Sequence, residues 1–582
     1  MHADASGPGP TPDTGDGPGP APAKPDTPEQ SSLGARLRAL RQEPAFALTA
    51  VAMAALVVVF ILVPVGLVLV QSLLVDNEPS LANWADVATT ARYRDAIVNS
   101  LVLGLGSTGL TLLFAIPLAL YTTRHPGPLS RAFRVIALLP LVAPPFIFSI
   151  SLALVGGRRG LLTDFLRPAL DLVGFQDPAI FGLHGVMLAQ MLGFFPVAYM
   201  LIESSLRSLD PALEHAARDL GASQGRALRD VTLPLARAGI AKAFLVVFVL
   251  VLADFSNPLL LGAGTPTLAS EAYINLIGRG DVEMAAVLGT LLVIPGVAVF
   301  LAQRYWLGDS GDASVSQTAG GAPATLQPRL RALVLAPSLV FGAAVVALFG
   351  FLVTGGFVRA IGVNWEPTLE HFALDIGGPY ILNSLLVSLG AAVAASVLGV
   401  IQGYVLARRD VPAGGLQEFT SLFGLAVPGT VIGIGYILAF NQPPLVLTGT
   451  LAILVVNMAF RNVGVSMSAA IAKLDQIDPS FEEAARDLGA GSIRTFLTVG
   501  VPLLLPPLMA GFVYTFMTTM VTISSVVFLV SPGTQLAAVY IFSLAESGRL
   551  GPASAMTVLL IVLVLVSLGV LRWLERRSNL GL

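Results

Sequence analysis

Cysteine is absent from this 582-residue chain. That excludes a disulfide framework, a thiolate metal site and a cysteine nucleophile. Lysine is nearly absent. Lys24, Lys242 and Lys473 are the only three, and none follows a G-x-x-x-x-G-K-[ST] loop. Without that lysine and those glycines the chain has no P-loop to cradle a nucleotide's phosphates. Charge is scarce as well: 12% of residues are Asp, Glu, Lys or Arg, against about 25% in ordinary soluble domains. The five histidines (His2, His125, His184, His215 and His371) are scattered without ligand-like spacing. No metal and no cofactor are therefore expected, and a membrane-embedded enzyme lacks the clustered His, Asp or Glu it would need. The net charge of −3 argues neither for nor against nucleic acid, and no nucleic-acid partner is expected.

What is present is apolar surface. Hydrophobic residues make up 55% of the chain and mean hydropathy is +0.79, so the bilayer is the expected solvent. A membrane-spanning helix needs about 20 mostly apolar residues. Twelve such runs are expected: 45–72, 96–122, 133–155, 181–205, 238–262 and 283–303, then 332–354, 380–406, 418–440, 447–470, 504–530 and 553–572. The fold class read from this is all-α, a polytopic membrane protein. Residues 1–42 are Pro, Gly, Asp and Ala rich and read as a disordered tail, because they bury too little apolar surface to order themselves. Residues 43–305 read as a first membrane domain, 306–330 as a Gly/Ser/Ala/Thr linker, and 331–582 as a second membrane domain. Arginine placement gives the orientation. Arg36, Arg38, Arg124, Arg131, Arg134, Arg207, Arg408, Arg486, Arg576 and Arg577 collect on one side, which puts both termini in the cytoplasm.

The two halves repeat one another. AARDLGA occurs at Ala216 and again at Ala484, 268 positions later. VNSLVLGLG at Val98 answers LNSLLVSLG at Leu382, 284 positions later. The second half is therefore shorter in between, and the outer loop after the third span is the expected place. Helix order and direction are the same in both halves, so this is a parallel repeat about an axis along the membrane normal, with a solute path between the halves.

Each AARDLGA segment lies on the cytoplasmic side between the fourth and fifth spans. Asp210 and Asp478 can cap a helix there, with Pro211 and Pro479 at its first position. Glu214, Glu482 and Glu483 suit its positive N-terminal end. Ala216, Ala217, Ala484 and Ala485 keep one face thin, and Gly221 and Gly489 can take the left-handed conformation that ends it. Two copies at equivalent places point to a paired docking surface.

These segments resemble the EAA motif of binding-protein-dependent ABC importer permeases. The second copy reads Glu483-Ala484-Ala485 with Gly489; the first reads His215-Ala216-Ala217 with Gly221, with His215 in place of Glu. The resemblance implies a type I importer fold in a bacterial cytoplasmic membrane. It implies an ATPase-coupling role for Glu214, His215, Ala216, Ala217, Gly221, Glu482, Glu483, Ala484, Ala485 and Gly489. It implies as partners two copies of a separate ATPase subunit, an extracytoplasmic solute-binding protein and membrane lipid. The fused pair of halves, with ADFSNPLLLG and ISSVVFLVSPGTQLAAVYIF, is similar to the ferric-iron type and its relatives for thiamine, phosphonate, hexose phosphate or polyamine. Ferric iron is the expected solute. An ion-coupled secondary transporter is the alternative outside the class; it leaves the duplicated cytoplasmic motif unexplained.

Polar residues inside membrane helices are costly unless they face protein or water. Thr515, Thr518, Thr522 and Ser525 recur at helical spacing and should share one face. Asp254, Ser256 and Asn257 stand at the matching place in the first half. Asp254, Ser256, Asn257, Thr518, Thr522 and Ser525 are the candidate path residues. Arg461 lies within the tenth span and suits snorkelling, an acid partner or an anion. Asn99 and Asn383 are expected to cap their helices.

Overall fold

The structure, a computed structural model, describes residues 44–577 apart from 158–159, 161–162, 164–179, 306–324, 362, 409–410 and 412. The expected tail at 1–42 and most of the linker at 306–330 lie outside the described residues. The first half runs α1 (Phe46–Gln71), α2 (Ala91–Arg124), α3 (Pro128–Val142), α4 (Ile147–Gly156), α5 (Leu183–Arg207), α6 (Pro211–Asp219), α7 (Gln224–Leu252), α8 (Ser256–Leu261), α9 (Leu268–Tyr273) and α10 (Val282–Tyr305). The second runs α11 (Pro328–Phe357), α12 (Leu374–Arg408), α13 (Gly414–Ala426), α14 (Gly429–Phe440), α15 (Leu451–Leu474), α16 (Ser480–Asp487), α17 (Ser492–Leu503), α18 (Leu505–Val521), α19 (Ala537–Glu546) and α20 (Leu550–Arg577). Two small antiparallel hairpins, at 74–79 and 358–367, are the strands among the described residues.

Nine of these helices are long and apolar enough to cross a membrane, and three bent pairs bring the count to twelve. α3 and α4 meet at 103°, α13 and α14 at 111°, and α17 and α18 at 66°. Proline explains the two sharp bends. Ala143 and Val427, each preceding a proline, are extended, because the proline ring disfavours the helical region for the residue before it. The repeat is visible in the boundaries. Gly156 and Phe440 end equivalent helices 284 positions apart, and Leu183 and Leu451 begin equivalent helices 268 apart. The missing residues of the second half thus lie between those landmarks, where the loop after the third span was expected.

Each half's first helix packs on the other half. Phe60 of α1 stacks on Phe460 at 4.6 Å between ring centres and lies 5.5 Å from Phe440. The Tyr436 hydroxyl donates to the Phe60 carbonyl at 2.9 Å. In return Phe341 of α11 stacks on Phe195 at 3.6 Å. The end of the linker is held too: the Gln224 side chain donates to the Thr325 carbonyl (2.8 Å) and accepts from the Gln327 amide (2.6 Å).

Two expectations change. Asn99 and Asn383 do not cap, because α2 begins eight residues before Asn99, at Ala91, and α12 nine residues before Asn383, at Leu374. Their amides instead donate across to loop carbonyls, Asn99 to Pro266 (3.0 Å) and Asn383 to Gln535 (3.1 Å). The expected fifth and eleventh spans also stop early, at Leu252 and Val521.

Candidate functional site

The duplicated helices α6 and α16 form as their residues dictate. Asp210 accepts from the Ala212 amide and Asp478 from the Ser480 amide, both at 2.9 Å. The Ser480 hydrogen bond holds the Asp478 carboxyl below its ordinary range. At the far ends the amides of Gly221 and Ala222 bond back to Arg218 and Ala217, and those of Gly489 and Ala490 to Arg486 and Ala485. This double closure needs a left-handed residue. Gly221 and Gly489 supply it, at φ +90° and +81°.

The two faces of each helix differ. Glu214 and Glu482 are buried and point into the protein. Glu214 pairs with Arg124 at the C-terminal end of α2 and accepts from the Thr232 hydroxyl. Glu482 pairs with Arg408 at the C-terminal end of α12 (3.0 Å) and accepts from the Tyr404 hydroxyl (2.9 Å). Arg408 also reaches the carbonyls of Leu474 and Ile477. His215, Glu483, Ala216 and Ala484 are exposed, as are Gly221 and Gly489. Leu213, Phe481, Leu220 and Leu488 are exposed as well, the two last leucines by 90% each. On either helix the leucine or phenylalanine, the two alanines and the final leucine stand at i, i+3, i+4 and i+7. That spacing is one helical face, and here it is an apolar stripe turned to solvent.

The candidate path residues sit where the helices break. α7 stops at Leu252, and Asp254 then accepts from the Ser256 amide (3.1 Å) and hydroxyl (2.6 Å), the Asn257 amide (3.3 Å) and side chain (2.7 Å), and Gln190 (2.9 Å). Ser107 donates to Gln190 and Ser149 to Asn257. In the second half the expected common face does not hold. α18 ends at Val521 and Thr522 is extended, at ψ 147°, so Thr522 and Ser525 leave the helical register of Thr515 and Thr518. The β-branched run Val521–Ile523 and the hydroxyls that follow it favour that exit. Thr518 bonds the Tyr514 carbonyl of its own helix, and Ser525 donates to the Met458 sulfur. Rings from both halves meet beside the breaks: Phe255 lies 6.1 Å from Phe528 and 5.7 Å from Phe542, and Tyr273 lies 5.9 Å from Phe528.

Comparison with known proteins decides the family. Residues 112–310 and 395–579 each match the binding-protein-dependent transport system inner membrane component family. The ferric transport system permease protein FbpB of Actinobacillus pleuropneumoniae is 34% identical over 492 residues, covering 82% of this chain and 71% of that one. A putative ferric transport system permease, FbpB 1 of Haemophilus influenzae, is 34% identical over 455 residues, covering 76% and 71%. The molybdenum transport system permease protein ModB of Mycobacterium tuberculosis is 32% identical over 222 residues, covering 38% of this chain and 81% of its own.

The chain belongs to this permease family.

It is a multi-pass inner-membrane permease of an ABC importer, a transport subunit and not itself an enzyme. Of the ten residues read from the motif, the structure puts Glu214 and Glu482 on the anchoring side. Leu213, Leu220, Phe481 and Leu488 were missed by reading the motif alone. Their signal was available, since each pair recurs 268 positions apart with the spacing of a single helical face. Among the described residues no group of three or more His, Asp or Glu could hold a metal ion.

The permease's Asp254 carboxylate has five donors and no cation among the described residues. Hydrogen bonds to a charged group contribute about 1.5–3 kcal/mol each, and a stranded buried donor costs about 1–3 kcal/mol. Asp254→Ala should therefore cost several bonds at once and lower the yield of folded protein, measured as the monodisperse fraction in detergent. A full yield with lost uptake would instead make Asp254 a path residue.

Proposed function

We propose that the permease imports ferric iron, taking two ATPase subunits on α6 and α16 and a solute-binding protein on its opposite face. The observation that carries the coupling is the pair of cytoplasmic helices, each with a buried glutamate holding it to a membrane helix and an apolar stripe left open. Exposed apolar patches of this kind mark protein contacts. Two equivalent stripes suit two copies of one partner. Support for iron comes from the relatives named ferric transport system permeases, at 34% identity over most of this chain.

The membrane domains at 43–305 and 331–582 each contribute one docking helix and one set of broken helices to the path. Arginine placement puts α6, α16 and both termini in the cytoplasm. Aromatic contacts between Phe255, Tyr273, Phe528 and Phe542 close the path where the two halves meet. ATP-driven movement of the docking helices opens it.

Two measurements test this reading. Purified alone, the chain should hydrolyse no ATP above background; hydrolysis that survives further purification overturns the division of labour. Vesicles carrying the chain with its ATPase subunits and binding protein should accumulate radiolabelled ferric iron only with ATP inside the ATPase compartment. An assembled, ATP-hydrolysing complex that leaves iron outside would remove iron as the solute while keeping the permease.

A further inference from the structure

Arg461 is the eleventh residue of the 24-residue α15, about 15 Å from its outer end at 1.5 Å per residue. It is therefore near the middle of the span, too deep to reach the interface with ease. Ionisable residues at such depth mark partners or pathways. Among the described residues Arg461 has no carboxylate partner; its guanidinium donates to the Ser524 hydroxyl at 3.2 Å. Arg461 is only partly buried.

Its surroundings are built for it. α14 begins at Gly429, just past the 111° bend, and a Cβ at Gly429 would fall on the Arg461 Nη1 and the Ser524 Oγ. The first half shows what that contact is without the charge. Gly193 stands 268 positions before Arg461 and Pro145 stands 284 before Gly429, and a Cβ on Gly193 would lie 2.9 Å from the Pro145 carbonyl oxygen. One half thus packs glycine against proline, and the other packs arginine against glycine. The exchange adds a cation at a helix N-terminus, whose free amides and dipole also favour an anion. A discontinuous membrane helix presents its N-terminus to a solute's anionic groups in the same way.

Two more groups there lack partners. Asn457, one turn before Arg461 on α15, is fully buried with both side-chain polar atoms unpaired, and so is the Thr430 hydroxyl next to Gly429. Buried polar atoms are nearly always bonded, and these flank the arginine.

We propose that Arg461, with Ser524 and the first turn of α14, binds an oxyanion group of the transported species midway across the membrane. The inference rests on the permease reading and fixes the form of its cargo. A bare ferric ion would meet like charge at Arg461, and Asp254 offers it no free lone pairs. Iron crosses with its charge masked by an oxyanion ligand.

The test uses the complete transporter in nanodiscs. The complex is treated with a guanidine-specific dicarbonyl reagent in inorganic phosphate or in chloride at equal ionic strength, and modification is read peptide by peptide. Phosphate should slow reaction at Arg461 about tenfold, the scale of one charge-assisted contact, and leave exposed Arg94 unaffected. Equal rates in the two salts, or no reaction at Arg461 in either, overturns the proposal. In vesicles, Arg461→Gln should lower iron uptake about tenfold with ATPase retention unchanged, and Arg461→Lys should recover part of it. Wild-type uptake by Arg461→Gln counts against the site. Loss of the ATPase subunits from the unmodified complex counts instead against the permease reading, and failure of the wild type to take up iron counts against iron.

Discussion

Leu220→Asp and Leu488→Asp together should strip the ATPase subunits from the permease. Each leucine is 90% exposed at the end of its docking helix, so neither contributes to the fold of the free chain. Burying one in a partner's groove is worth about 1.5–3 kcal/mol, roughly ten- to a hundredfold in affinity. An aspartate there loses that term and adds the cost of a desolvated charge. Either change alone should weaken retention, because the other helix still holds its own subunit. The two combined should leave none after size-exclusion chromatography, with membrane insertion and folded yield unchanged. A double variant that keeps its ATPases would show that the stripes are not the docking faces. Leu213→Asp and Phe481→Asp, at the other end of the same face, should act in the same direction.

Arg408→Met should uncouple the second docking helix while leaving it exposed. Its guanidinium joins Glu482 of α16, the carbonyl of Leu474 at the end of α15 and the carbonyl of Ile477 just beyond it. Removing one member of a buried pair costs about 3–5 kcal/mol, and here Arg486, 3.8 Å from Glu482 and partly exposed, offsets only part of the stranded charge. Hydrogen exchange at residues 480–490 should rise by orders of magnitude, and ATP hydrolysis should continue without uptake. Arg408→Met with Glu482→Leu removes both charges. It should restore protection of the helix, because replacing a buried pair with apolar residues is often neutral. If the single variant transports normally, the pair does not carry motion. Arg124→Met should behave alike through Glu214, although Thr232 keeps one hydrogen bond to that carboxylate.

Much of this architecture is legible in the sequence because its signals are local. Length and apolarity alone locate twelve spans. Asp-Pro at one end and glycine at the other bound the docking helices, and φ at Gly221 and Gly489 is what a helix ending of that kind demands. What depends on other segments is not legible. Hydropathy around 133–155 and 418–440 reads as one straight helix; Pro144 and Pro428 mark the breaks in the sequence, but not that the bends reach 103° and 111°. Thr515, Thr518, Thr522 and Ser525 have helical spacing, yet the helix stops between the second and third of them. Glu214 and Glu483 both read as motif acids, and only the positions of Arg124 and Arg408 show that Glu214 and Glu482 are the anchors. That α1 packs on the opposite half is settled by Phe60, Phe440 and Phe460 coming together, three rings hundreds of residues apart in part.

α2 is one unbroken helix of 34 residues, about 51 Å long. Near its C-terminal end Arg124 holds α6 through Glu214. Near its N-terminal end Arg92 makes two contacts, of 2.7 and 2.9 Å, with Glu271 of α9; Asn99 and Ser100 hold the loop at 266–268. α12 repeats the arrangement, with Arg408 at its C-terminal end and Asn383 and Ser384 holding 535–537 toward the other. Each is a push rod fastened at both ends. On the coupling proposed above, a displacement imposed on α6 or α16 would arrive at the far segment beside Phe255 or Phe528 without passing through the loops between, and the stroke would then be set by the stiffness of two helices.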